Sequence, residues 1–260
     1  MAIVEINYQR DPATGQVLFG ASGYPLIVAA PTANTYGQMQ ARIQNEVLGL
    51  ITADDVKNAI QDAIAEYERE TFWFNSVRIF GDVTGSNSNL QTAVGQEFYS
   101  SQDLPVLTQV PHISKVLIFA FNNRYELKER TYQWMDDVSL SPTWNGLPDS
   151  WCWQSGALRL YPIPNGIYPL VLDVTTRFQP LVNDSDYNVW TNRAEWLVRT
   201  EAKRVLFRNI TRDEDQAQFM EMELMGDPST GRQGALAQLR RESMRRAGGV
   251  GRIRGSRGCL

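Results

Sequence analysis

The chain is poor in the side chains that carry most nucleophilic and metal chemistry. Its 260 residues include one histidine, His112, and two cysteines, Cys152 and Cys259. A single histidine cannot build a multi-histidine metal site or the usual nucleophile–base pair. In Val110-Pro111-His112-Ile113 it reads as a loop or core residue ahead of a strand. Two cysteines so far apart form neither a disulfide framework nor a zinc spacing, and they fit a reducing compartment. There is no GxxxxGK(S/T), no strand-linked GxGxxG and no GxSxG; Gly248-Gly249-Val250-Gly251 has glycines but no strand before it and no helix after. The longest apolar runs, Leu26–Ala30 and Val116–Phe121, are far too short to span a bilayer. MAIVEINYQRD has no basic region followed by an apolar stretch, so no secretory signal is expected. Cofactors and metals are therefore expected to be none.

What the chain does have is apolar mass and an uneven charge. It is 43% hydrophobic and 10% aromatic, enough for one large core or two small ones. Net charge is -4, but from Arg240 to Leu260 there are seven arginines against Glu242. That segment is +6, which leaves -10 on residues 1–239. The chain ends AGGVGRIRGSRGCL, from Ala247 to Leu260, without apolar periodicity or a capping signal. Such a stretch cannot bury enough surface to offset the entropy of ordering it, so it is expected to order only on a partner.

Periodicity divides the rest into α- and β-forming blocks. Residues 1–34 are an extension: Ala2–Tyr8 alternates like a strand, Asp11–Gly15 reads as a turn, Gln16–Phe19 as a second strand, and Gly20–Asn34 as a loop or arm. Thr35–Leu50 predicts a helix with Met39, Ile43, Val47 and Leu50 on one face. Thr52-Ala53-Asp54-Asp55 predicts a capping box, with Asp where Glu is usual, for a helix carrying Val56, Ile60, Ala63, Ile64 and Tyr67 and ending near Phe72–Asn75. Candidate strands follow at Val77–Val83, Glu97–Ser100, Ser114–Phe121, Tyr125–Lys128, Trp151–Gln154, Ala157–Tyr161 and Tyr168–Phe178, with a short helix, Thr131–Val138, lying across the sheet. Thr191 reads as the cap of a helix over Asn192–Ile210. Asp213–Met225 and Ala235–Arg246 are two more helices, separated by the breaker Gly226-Asp227-Pro228-Ser229.

The fold class expected is α+β: a helical bundle built from both ends of the chain (35–75 and 191–246), an inserted small antiparallel β-domain (76–190), the extension 1–34 and a flexible basic arm (247–260). The paired acids Asp54/Asp55, Asp136/Asp137 and Glu66/Glu70 read as solvated helix faces, the last at i, i+4. Phe72, Trp73 and Phe74, and the group Trp134, Trp144, Trp151 and Trp153, read mainly as core.

The order of these segments is distinctive. Glu66-Tyr67-Glu68-Arg69-Glu70-Thr71-Phe72-Trp73-Phe74-Asn75 runs from helix into strand. Ala157-Leu158-Arg159-Leu160-Tyr161-Pro162-Ile163-Pro164-Asn165-Gly166 precedes a long strand ending Arg177-Phe178-Gln179-Pro180-Leu181. Asn183-Asp184-Ser185-Asp186 leads to Trp190-Thr191, then Ala194-Glu195-Trp196-Leu197-Val198-Arg199, then Arg212-Asp213 and the basic arm. Over roughly residues 40–246 this resembles the head-to-tail adaptor, or connector, proteins of tailed bacteriophages, short-tailed ones in particular. It departs from them in the long first 34 residues and in Asp227–Gly234, which interrupts an expected single long helix.

The resemblance implies a structural, non-enzymatic virion protein at the portal vertex, assembled in the host cytoplasm. It implies a homo-oligomeric ring, commonly of about twelve copies to match the portal, with the portal protein on one side and tail or nozzle proteins on the other. DNA would pass through the channel at ejection without specific binding, and no membrane is involved. The arm would dock on the portal through Arg245, Arg246, Arg252, Ile253, Arg254, Arg257 and Leu260. Two other readings compete. The Arg/Gly tail resembles segments that bind single strands, although it has no aromatic residue and its body is acidic. A virion-associated peptidoglycan hydrolase would need an acid of raised pKa and a partner carboxylate across a cleft.

Overall fold

The structure, a computed structural model, describes residues 9, 17–19, 24–25, 34–47, 49, 51–81, 90–139, 144–227 and 231–246. The chain divides into two compact units. One holds the described residues of 1–33, 68–70 and 75–182, and the other those of 34–67, 71–74 and 183–260. The predicted strand Ala2–Tyr8 and the arm 247–260 lie outside the described residues.

The first unit is built from β1 (Ser76–Phe80), β2 (Phe98–Tyr99), β3 (His112–Ala120), β4 (Asn123–Glu126), β5 (Lys128–Glu129), β6 (Asn145–Gly146), β7 (Ser150–Gln154), β8 (Ala157–Tyr161), β9 (Ile163–Pro164) and β10 (Leu170–Thr175). One four-stranded sheet runs β1-β10-β3-β4, wholly antiparallel; a second runs β2-β8-β7-β5. Its edge departs from the expected antiparallel pattern, because β5 pairs with β7 in parallel. The helix α1 (Tyr36–Glu46) and the helix α2 (Ala53–Tyr67) belong to the other unit, and α3 (Tyr132–Ser139) to this one.

Alternation explains the core of the β unit. Val77 and Ile79 of β1, Ile113, Val116 and Ile118 of β3, and Leu170, Leu172 and Val174 of β10 share one apolar cluster with Tyr99, Trp151, Leu158 and Leu160 of the second sheet. The skip from Ile113 to Val116 is a bulge. Val174 pairs with Ile113 and Asp173 with Lys115, which leaves Ser114 as the extra residue. Its hydroxyl donates to the Asp173 carbonyl at 3.0 Å. Fully burying each such large side chain stabilises the fold by about 1.5–3 kcal/mol. His112 is the exposed first residue of β3. The expected long strand Tyr168–Phe178 is shorter, Leu170–Thr175.

The second unit has α1 and α2, then α4 (Val189–Asn192), α5 (Glu195–Leu206), a π-helical turn Phe207–Thr211, α6 (Glu214–Met225), the two-residue strands β11 (Gly226–Asp227) and β12 (Arg232–Gln233), and α7 (Ala235–Arg246). Helix α5 is central, packing on α1, α2, α4, α6 and α7. Phe72 stacks on Phe74, and both meet Trp190 edge-on at 6.2 and 5.2 Å between ring centroids. These aromatics follow α2 in a turn instead of ending it, because α2 stops at Tyr67. Glu70 therefore lies beyond the helix, and the Glu66/Glu70 helical pair does not form.

The caps set the helix ends. Thr35 closes α1 with Gln38 in a reciprocal capping box. Thr52 and Asp55 do the same for α2, with Asp55 N–H to Thr52 Oγ1 at 3.2 Å and Thr52 N–H to Asp55 Oδ2 at 2.9 Å. Helix α1 ends earlier than periodicity suggests, since Val47 is extended. The expected helix Asn192–Ile210 capped by Thr191 is two helices. Asn188 is the cap, its side chain accepting from the Trp190 and Thr191 amides, and the chain breaks at Arg193–Ala194 before α5 begins. Apolar periodicity runs across that break, so spacing alone does not mark it. The acidic turn before α4 also serves α1: the amides of Tyr36 and Gly37 donate to the Asp186 and Asp184 carbonyls at 2.8 and 2.9 Å. A Cβ on Gly37 would lie 2.8 Å from the Asp184 Cβ, so only glycine allows that approach.

Candidate assembly surfaces

Charge is handled differently in the two units, and this is where candidate surfaces come from. In the β unit the central feature is Arg159 on β8, whose side chain is only 5% exposed. Its guanidinium donates to Glu97 at 2.6 Å, to Asp136 on α3 at 2.5 Å and to the Ser139 hydroxyl at 3.0 Å. The rings of Phe98 and Tyr132 each lie 5.0 Å from its central carbon. Burial works against its charge, but the hydrogen bonds it donates to Asp136 and Glu97 outweigh that and hold its pKa above the ordinary value.

Arg159 therefore clamps α3 onto the sheet. Asp136, read from sequence as a solvated acid, is one jaw of that clamp. Beside it is a shallow depression of about 200 Å³ lined by Phe98, Tyr132, Cys152, Gln154, Ser155 and Ala157. Burial pushes the Cys152 thiol up, away from nucleophilic use. Since the guanidinium already faces two carboxylates, the depression offers no free positive charge to a ligand.

Among the described residues, no group of histidine, cysteine and carboxylate side chains is gathered to hold a metal ion, and no helix is long and apolar enough to cross a membrane. The tryptophans separate by exposure. Trp151 is buried, Trp134 and Trp153 are half-buried, and Trp144 is exposed.

In the helical unit, ion pairs stitch helices at the surface. Glu195 pairs with Arg42 at 2.6 Å and Arg199 at 3.5 Å; Glu46 pairs with Lys203 at 2.9 Å. Arg204 holds Glu201 at 2.5 Å, and Glu201 accepts from the Tyr67 hydroxyl at 3.4 Å. Helices α6 and α7 are different. Ala217, Met220 and Leu224 bury one side of α6, while Phe219, Met222 and Met225 stand exposed on the other. On α7, Ala235 and Leu236 are buried, and Arg241, Met244 and Arg245 are exposed.

Of the residues assigned to portal docking, Arg245 sits exposed in the last turn of α7. Arg252, Ile253, Arg254, Arg257 and Leu260 lie outside the described residues, as does the Arg246 side chain. Sequence reading missed two features. Arg159 is buried by a helix over twenty residues away in sequence, and the second apolar side of α6 was visible as methionines and a phenylalanine off the core stripe.

Set against known proteins, residues 34–254 match a family model described as SU10 adaptor protein. No curated protein matches the chain.

Proposed function

The chain belongs to the SU10 adaptor protein family, phage head-to-tail adaptors of the short-tailed type, and from that membership we propose that it forms a homo-oligomeric ring beneath the portal. The ring joins capsid to tail and lines a channel for DNA, and its contribution is mechanical, not catalytic. What carries this reading is that the family match spans the helical unit and the β unit and runs on into the basic arm as far as residue 254.

The Gly/Arg sequence of the arm has too little apolar surface to offset the entropy of ordering it alone, which suits it to docking on a partner. It orders when it meets a groove on the portal. Ordering on contact costs part of the binding free energy but allows a long wrap. One arm binds weakly; many arms in one ring make a durable joint. Its arginines pair with portal carboxylates and backbone carbonyls through planar, multiply donating groups. The -10 carried by residues 1–239 opposes DNA adhesion, so the duplex slides past instead of sticking.

The test is sedimentation of the chain with its portal ring, full-length and truncated after Ala247. Full-length protein shifts the portal to a larger, defined species and the truncation does not. Equal binding by both assigns docking to the helices and leaves the arm without this role. Binding by neither removes the portal as partner, and single-stranded nucleic acid becomes the ligand to try.

A further inference from the structure

Helix α6 is apolar on two opposite sides. Ala217, Met220 and Leu224, at i, i+3 and i+7, are buried within the unit. Phe219, Met222 and Met225 project from the other side, 53%, 48% and 63% exposed, with Asp215 one turn before Phe219. A helix closing off one core needs a single apolar stripe. A second stripe, rimmed by polar groups, marks a protein contact.

The charges indicate what covers it. Helix α6 carries Glu214, Asp215, Glu221 and Glu223 and no lysine or arginine; Glu214 and Glu221 are partly engaged by Arg208 at 3.6 and 3.2 Å. Helix α7 carries Arg240, Arg241, Arg245 and Arg246 against Glu242. Of its exposed residues, Arg241, Met244 and Arg245, at i, i+3 and i+4, share one face, and Met244 is 64% exposed. So the chain presents an acidic face with apolar residues and a basic face with an apolar residue. Two copies of the α6 face would set carboxylate against carboxylate, and two of the α7 face arginine against arginine. Only α6 against α7 matches in both charge and apolarity.

We propose that the exposed face of α6 (Phe219, Met222, Met225 and Asp215) docks on the α7 face (Arg241, Met244, Arg245) of a second copy of this chain. The contact is heterologous, joining different patches on the two partners. Repeated, it closes into a ring when the rotation between neighbours allows. The proposal rests on the ring reading above and names the surfaces that would build it.

The experiment compares full-length wild type with two variants, one on each face: Phe219→Asp with Met222→Asp, and Arg241→Glu with Met244→Glu. All are sedimented alone and with the portal ring, after circular dichroism to check the fold. Should the acidic α6 variant lose helix content, Phe219→Ala with Met222→Ala replaces it. Wild type assembles. Each variant alone loses the assembly, with self-association weakened by at least about tenfold. Mixed in equal amounts, the two variants share one sound pair of faces, so they form a two-chain species and stop there.

That arrest at two chains supports the proposal. A mixture that stays monomeric overturns it, as does a variant that assembles like wild type; in the latter case the ring reading stands. An α6 variant that assembles but no longer joins the portal reassigns the face to the portal. Wild type that stays single even with the portal sinks both the pairing and the ring.

Discussion

The two units dispose of charge and apolar surface differently. In the β unit, Arg159 is drawn inside and satisfied there by Glu97, Asp136 and Ser139. Both sheets contribute inward residues to one cluster. Its exposed large apolar side chains, Val94, Phe98, Phe121, Tyr125, Tyr132, Trp144, Ile167 and Val182, come from strands, loops and α3 alike instead of from one helix face, as on ordinary protein surfaces. In the helical unit one carboxylate, Glu201, is buried against Arg204 and the Tyr67 hydroxyl, but on α6 and α7 charge is sorted by sign onto neighbouring helices, and three large apolar side chains of α6 are left exposed among the acids. The β unit resembles a finished object, and the helical unit resembles a component. A component of that kind is what a family of adaptors needs.

The largest effects are expected from damage to either core. Trp190 is fully buried against Phe72 and Phe74, and Trp151 is 1% exposed in the β cluster. Either Trp→Ala change is expected to cost about 3–5 kcal/mol, read by urea unfolding. Partner binding adds the same increment to wild type and variant, so these losses should be alike in free and assembled chains. A loss below about 1 kcal/mol for either variant would show that its core is not closed.

Next comes the buried cation. Arg159→Ala leaves Glu97 and Asp136 facing each other and frees α3 from the sheet. A fully buried pair loses about 3–5 kcal/mol when one partner is removed. Because Glu97 and Asp136 keep 20% and 52% of their side-chain surface in water, about 2–3 kcal/mol is expected. Arg42→Ala, in an ion pair whose cation is 44% exposed, should cost at most about 1 kcal/mol. Matching losses in thermal melts would show that burial is not what separates the units.

A smaller effect is expected at the turn between α6 and α7. Gly226 has φ 96°, and a Cβ there would come within 2.5 Å of the Arg232 carbonyl. Gly226→Ala should cost about 1–3 kcal/mol and displace α7 more than any β-unit element. Hydrogen exchange along α7 would report it.

The smallest effect is in acid. Asp55 in the helical unit and Asp103 in the β unit both have pKa values lowered, first by the backbone hydrogen bonds of Thr52 and Ser100 and then by their hydroxyls. A depressed carboxyl stabilises the fold above its unfolded pKa, near about 3.9, and loses that contribution as pH falls through the folded value. Urea midpoints should therefore drop below about pH 4, and less steeply in Asp55→Asn and Asp103→Asn. A wild-type slope retained in both variants would place the acid sensitivity elsewhere.

Local signals in the sequence were enough for much of this fold. The Thr52–Asp55 box set the start of α2, and Ala157–Tyr161 and Ala235–Arg246 match β8 and α7 at both ends. What local signals could not carry was non-local. In Ala157-Leu158-Arg159-Leu160-Tyr161, alternation puts Arg159 on the outward face, and only α3, laid across that face, buries it. The break at Arg193–Ala194 is hidden because apolar spacing continues through it. Of the candidate docking residues, only Arg245 has a described side chain, and it is exposed. The sorting of acid onto α6 and arginine onto α7 was written plainly in the composition, yet its meaning depends on which sides of those helices face out.

Capped helix ends also govern how a protein surface meets anions. The start of a helix, with its free amides and partial positive charge, is a natural resting place for phosphate. Here Thr35, Thr52 and Asn188 each close such an end with a side-chain acceptor, Asp213 caps α6, and carboxylates fill the first turns of α2, α5 and α6. The ends of α2, α5 and α6 have an anion from within the chain, and those of α1 and α4 a neutral acceptor. On the proposed channel wall, helix ends capped in this way would offer a backbone phosphate fewer free amides on which to catch.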